Sequence, residues 1–143
     1  MSDITHKISM NAPKSEVYRA LSTLDGLSGW WTSTTGGESA QGKTIEFRFN
    51  QHVVGMRVDE LESGKRVAWQ CIDEGTPEWL GTRVTFDLSE DAGRTTLLFG
   101  HRAWKETTPF FAHCSMKWAT FLLSLRDLVE TGAGKPFPRD VQV

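Results

Sequence analysis

The stretch from Thr108 to Gly132, TPFFAHCSMKWATFLLSLRDLVETG, constrains this chain more than any other. At about 100° per residue, Phe110, Phe111, Cys114, Trp118, Phe121, Leu122, Leu125, Leu128 and Val129 gather within an arc of ~120°. His113, Lys117, Thr120, Ser124, Asp127 and Glu130 lie on the other side. Thr108 is placed to cap such a helix, Pro109 suits its first position, and Gly132 is placed to end it. Pro136 and Pro138 then forbid its continuation. The helix would span roughly 34 Å at ~1.5 Å per residue. Its aromatic-rich arc needs a large apolar partner, which only the strands before it can supply.

Those strands are written in a period of two. Ile4, His6, Ile8 and Met10 alternate with polar neighbours. Asn11-Ala12-Pro13 then breaks the strand and opens a short helix carrying Val17, Tyr18 and Leu21 on one face. A second helical turn, Leu24 to Gly29, leads to Trp30-Trp31. The polar run TSTTGGESAQGK, residues 32–43, reads as a mobile flap. Five alternating segments follow, centred on Phe47, Met56, Trp69, Phe86 and Phe99. Most are joined by short hairpin connections; only Asp73–Leu80, and His101–Thr107 before the last helix, are longer. A six-stranded antiparallel sheet with one apolar face must curl over something, and the last helix is the one element large enough. The expectation is an α+β helix-grip fold: a curved six-stranded sheet around a long C-terminal helix, with two short helices after the first strand. Residues 1–132 would form a single domain and residues 133–143 a C-terminal tail on its surface.

With 143 residues, 38% hydrophobic content and a net charge of −2, the chain carries no basic field for nucleic acid and no polybasic anchor. No apolar run approaches the ~20 residues that span a bilayer. Two cysteines without a signal peptide point to free thiols and a cytoplasmic setting. Six Trp and eight Phe against one Tyr make a large apolar ring inventory with few hydroxyls. This suits a densely filled core or an aromatic-lined cavity.

Several stretches resemble one family. They are NAPxxxVYxAL from Asn11 to Leu21, the Trp30-Trp31 pair, GTRVTFDLSED from Gly81 to Asp91, TLLFGH from Thr96 to His101, and WxxFLxSLxDLVExG from Trp118 to Gly132. Together they resemble the Hsp90 ATPase activator homologue-like family, within the START-like, Bet v 1-like (SRPBCC) superfamily. The resemblance implies a sheet gripping the C-terminal helix, with a cavity between them open beside the short helices. It leaves chemistry open, because members include ligand carriers, aromatase/cyclases, lipid-transfer domains and chaperone regulators. The eukaryotic activators carry an additional N-terminal domain that helps engage the chaperone. This chain starts directly at the helix-grip domain, so chaperone stimulation is not the expectation.

Inward parity and ring chemistry nominate ligand contacts: Trp30, Trp31, Phe47, Phe49, Met56, Trp69 and Cys71 from the first half, and Trp79, Phe99, His101, Trp104, Phe110, Cys114 and Trp118 from the second. His101 is the polar member, at the inner end of a strand. It reads either as a buried histidine satisfied by hydrogen bonds or as an anchor or weak candidate for a general base. His52 and His113 fall on solvated positions. Glu60 and Asp73 share inward parity near the rim, while no carboxylate pair for acid–base work is evident. Neither CxxC nor HxxxH spacing occurs, so no metal and no cofactor is expected. The leading reading is binding of a small hydrophobic, aromatic or lipid-like ligand. A cyclase or hydrolase using His101 and a Hsp90-activator-like interaction module are the alternatives. The homodimer stays open.

Overall fold

The computed structural model describes all 143 residues, Met1–Val143. Strand β1 (Ser2–Met10) is followed by helices α1 (Lys14–Ser22) and α2 (Leu24–Ser28). Strands β2 (Thr35–Gly37), β3 (Thr44–Phe49), β4 (His52–Glu62), β5 (Arg66–Cys71), β6 (Arg83–Asp91) and β7 (Arg94–Trp104) come next, and α3 (Pro109–Thr131) closes the domain. The strands form one antiparallel sheet in the order β1-β7-β6-β5-β4-β3-β2, curved around α3. This is the helix-grip architecture. None of its helices is long and apolar enough to cross a membrane.

The sheet has seven strands rather than the expected six. The additional one is β2, inside the polar run expected to be a flap: Thr35, Gly36 and Gly37 pair with Phe47, Glu46 and Ile45. An edge strand held by main-chain hydrogen bonds needs no apolar alternation, so periodicity has nothing to register. A second departure lies in β4, where the register shifts between Val58 and Glu60. The bulge brings Leu61 against the core and turns Glu60 outward, where it meets Arg66. A single extra residue reverses side-chain parity, which is why strict alternation places Glu60 on the wrong face.

Local signals and structure agree at the ends of α3. The Thr108 side chain accepts from the Phe111 amide, Pro109 opens the helix, and Gly132 ends it at φ 92° with its N–H on the Leu128 carbonyl. Ser124, on the polar side of the helical arc, is nevertheless buried. Its hydroxyl donates to the Trp30 carbonyl at 2.9 Å and accepts the Lys135 N–H at 2.7 Å. It therefore ties α3 both to the end of α2 and to residues 133–143. That terminal segment returns to the domain: the Phe137 N–H donates to the Trp31 carbonyl, Phe137 packs on Phe49, and Asp140 is buried against Lys117.

Candidate functional site

Trp31, which leaves α2 and enters the space between sheet and helix, organises the interior. Its ring centroid lies 4.2 Å from that of Phe47, 4.9 Å from Trp118, 5.5 Å from Phe49 and 6.0 Å from Trp69. The rings of Trp31 and Trp69 are within 6° of parallel. Offset stacks and edge contacts at these separations are favourable geometries for aromatic pairs. The indole thus divides the grip: behind it lies solid core, and in front of it a concave pocket of about 300 Å³ remains.

Four segments build that pocket. Trp31 forms its floor; Phe49, His52 and Val54 come from the β3–β4 hairpin; Thr76 and Trp79 come from the β5–β6 connection. The first half of α3 contributes Phe110, His113, Cys114, Lys117, Trp118 and Phe121. Of the side chains nominated from sequence, Trp31, Phe49, Trp79, Phe110, Cys114 and Trp118 line it. Trp30, Phe47, Met56, Trp69, Cys71, Phe99, His101 and Trp104 are buried behind it. Parity tells which side of a sheet a residue takes, but not how deep along the helix it sits. His52, Val54, Thr76, His113 and Lys117 line the pocket without being nominated by parity and ring chemistry, and Phe121, which the inner arc of the helix assigns to core packing, lines it too; the loop that carries Thr76 has no periodicity from which a position could be read.

His101 is fully buried beside the pocket, and both ring nitrogens are occupied. The Trp118 indole N–H donates to Nδ1 at 3.0 Å, and Thr82 Oγ1 lies 2.7 Å from Nε2. Because an indole can only donate, Nδ1 must accept and Nε2 must carry the proton. Thr82 accepts that proton and passes its own to the Trp79 carbonyl at 2.6 Å. The result is a directional chain, Trp118 to His101 to Thr82 to Trp79, that holds two pocket walls in place. Burial pushes the imidazole pKa down to about 3, so the ring is neutral near pH 7. Burial likewise pushes the Cys71 and Cys114 thiols up to about 11, leaving neither as a thiolate at neutral pH.

Polar groups gather at the pocket rim. His52 Nε2 lies 2.7 Å from Asp73 Oδ2 and 3.0 Å from Thr76 Oγ1, and Thr76 donates to the same carboxylate at 2.7 Å. Burial alone would raise the Asp73 pKa; hydrogen bonds from Thr76, His52 and the Gly75 amide together outweigh it and hold the carboxyl below its ordinary value. This cluster fastens the β3–β4 hairpin to the β5–β6 connection. Lys117 pairs with Asp140 and donates to the Val141 carbonyl at 3.0 Å, with its ammonium 4.9 Å from the Phe121 ring centre. Three buried indole N–H groups, those of Trp69, Trp79 and Trp104, find no hydrogen-bond partner, and of these residues Trp79 alone lines the pocket. Its N–H is buried in the pocket wall, near enough to the Cys114 thiol to lower its pKa slightly, yet makes no hydrogen bond of ordinary geometry. No three His, Cys, Asp or Glu side chains converge as metal ligands would.

A curved sheet gripping a C-terminal helix, with an aromatic pocket between them, defines a START-like protein of the SRPBCC class. The sequence model of the family described as "Activator of Hsp90 ATPase homolog 1-like protein" matches residues 11–130, and the chain belongs to that family. It is similar to the Aha1 dimer from Colwellia psychrerythraea, solved in solution, with 42% identity over 94% of this chain and 100% of that one, at a TM-score of 0.87. Protein SSP2350 from Staphylococcus saprophyticus is 19% identical over 93% of this chain and 95% of its own, at a TM-score of 0.77. CalU16 from Micromonospora echinospora is 20% identical over 90% of this chain and 74% of its own, at a TM-score of 0.75. These last two share the fold. No curated protein matches the sequence.

Proposed function

We propose that the protein binds a compact, flat aromatic molecule carrying a hydrogen-bond acceptor in the pocket before Trp31. The observation that carries this reading is the unpartnered Trp79 N–H in a mostly apolar wall. A buried donor left without a partner costs about 1–3 kcal/mol, and a ligand carbonyl, phenolate or carboxylate would recover it. The indoles of Trp31, Trp79 and Trp118 offer stacking faces, and the volume of about 300 Å³ suits a compact ring system better than a long acyl chain. His101 acts here as a positioning group that fixes Trp118 and, through Thr82, the backbone at Trp79. A cyclase or hydrolase based on His101 draws less support, since its accepting nitrogen already holds the Trp118 N–H.

Native mass spectrometry and tryptophan-fluorescence titration with matched aromatic ligands, with and without an acceptor group, test the proposal. Trp79→Phe keeps a ring but removes the N–H. It should weaken acceptor-bearing ligands by about 10-fold, the worth of one hydrogen bond, and leave acceptor-free ligands unchanged. A protein that carries no ligand and ignores the whole panel overturns the reading.

A second reading concerns assembly. The 42% identical relative from Colwellia psychrerythraea is a dimer, and this supports pairing of the present chain as well.

A further inference from the structure

Met116 and Leu123 are 57% and 46% exposed on α3, whose opposite face is buried in the grip. With Ala112 and Ala119 they follow one another at intervals of four, three and four residues, the spacing of a coiled-coil seam. At about 100° per residue the four side chains fall within ~60° on the outer side of the helix. The apolar surface extends sideways into a groove of about 390 Å³ against β1, where Ile8, Ala119, Leu122 and Leu123 form the walls and Arg94 and Arg126 the edge. Such a stripe is far shorter than the ~20 residues a membrane span requires. Its composition is that of a helix–helix contact, on the side of α3 that faces away from the sheet.

We infer that this seam is the contact between two copies of the chain, their α3 helices crossing antiparallel about a two-fold axis at Ala119–Thr120. The inference rests on the dimeric reading above and gives it a location. A two-fold contact must be self-complementary: each residue meets the one equally far beyond the axis. With the axis at that point, Met116 packs on the partner's Leu123 and Leu123 on the partner's Met116. The flexible thioether fills irregular space around the branched side chain. Ala119 and Thr120 are small, so the helices can approach to the ~8–10 Å usual for packed pairs. By the same rule Ala112 meets the partner's Asp127 at the edge of the contact, where the apolar run ends and Arg126, Asp127 and Glu130 form a solvated rim.

Size-exclusion chromatography with multi-angle light scattering over a concentration series tests this on the full chain. The wild type should show the mass of two copies. Met116→Glu/Leu123→Glu should show the mass of one, with its dissociation constant raised at least ~30-fold, the scale of an apolar hot-spot loss. Leu98→Glu, at a residue 51% exposed on β7 and away from the seam, should leave the dimer intact. Ala119→Cys should give a disulfide-linked dimer on mild oxidation, because both native thiols are buried. A dimer that survives the double substitution overturns the seam while the dimeric reading stands. A wild type that is monomeric at every concentration overturns both. Should circular dichroism show the double variant misfolded, failure of Ala119→Cys to cross-link in a dimeric sample overturns the seam.

Discussion

Replacing His101 by Leu should make the protein less stable at neutral pH and, at the same time, less sensitive to acid. The first effect follows from the hydrogen-bond chain. Leucine leaves the buried Trp118 N–H without an acceptor and Thr82 without a donor. One orphaned buried donor costs about 1–3 kcal/mol, so a loss of about 3 kcal/mol at pH 7.5 is expected once the changed shape is included. The second effect follows from linkage. The folded-state pKa of His101 is depressed from 6.5 to about 3, so between those values the unfolded chain binds a proton that the folded protein does not. Stability from this group is therefore complete above pH 6.5 and falls as the pH drops toward 3. At ~1.36 kcal/mol per unit the loss amounts to about 2 kcal/mol by pH 5 and approaches about 5 kcal/mol near pH 3. Urea unfolding of wild type and variant at pH 7.5 and 5.0 reads both effects. The wild type should lose about 2 kcal/mol more than the variant over that interval, so the gap between them narrows from about 3 to about 1 kcal/mol. Equal pH dependence in the two proteins would refute a neutral, buried His101.

The same physical picture has consequences elsewhere. Ser124→Ala removes the hydroxyl shared by the Trp30 carbonyl and the Lys135 N–H, and should cost about 2 kcal/mol in urea unfolding. It should also loosen residues 133–143, speeding tryptic cleavage after the exposed Arg139; an unchanged cleavage rate would show that Phe137 and Asp140 hold the segment alone. Cys71, buried away from the pocket and with a pKa of about 11, should react with Ellman's reagent at pH 7.5 only at the rate of unfolding or local opening. Rapid reaction of that thiol in a Cys114→Ser background would contradict its burial.

Much of this fold is written locally. Alternation in β3 to β7, the hairpin turns between them, and the Thr108, Pro109 and Gly132 signals at the ends of α3 all depend on residues close in sequence. Fold class, helix limits and most inward faces are therefore legible in the amino-acid sequence. What escapes it is whatever depends on partners distant in the chain. Strand β2 exists because an edge main chain finds β3; the bulge after Val58 reverses the faces of Glu60 and Leu61; Ser124 is buried by Trp30 and Lys135.

The candidate site divides along the same line. Its aromatic character and the inward placement of His101 come from composition and parity. Its location is decided by tertiary packing, because Trp31 and the rings around it fill the deeper part of the grip, and eight nominated side chains are buried in the core rather than lining the pocket. The roles of His52, Thr76 and Lys117 are likewise settled by loops and a terminal segment whose positions no periodicity encodes. Residue chemistry and periodicity settle which side chains are apolar and which way strands and helix present them. Which of those rings meet one another, and which remain free to meet something else, depends on three-dimensional proximity between segments far apart in the chain.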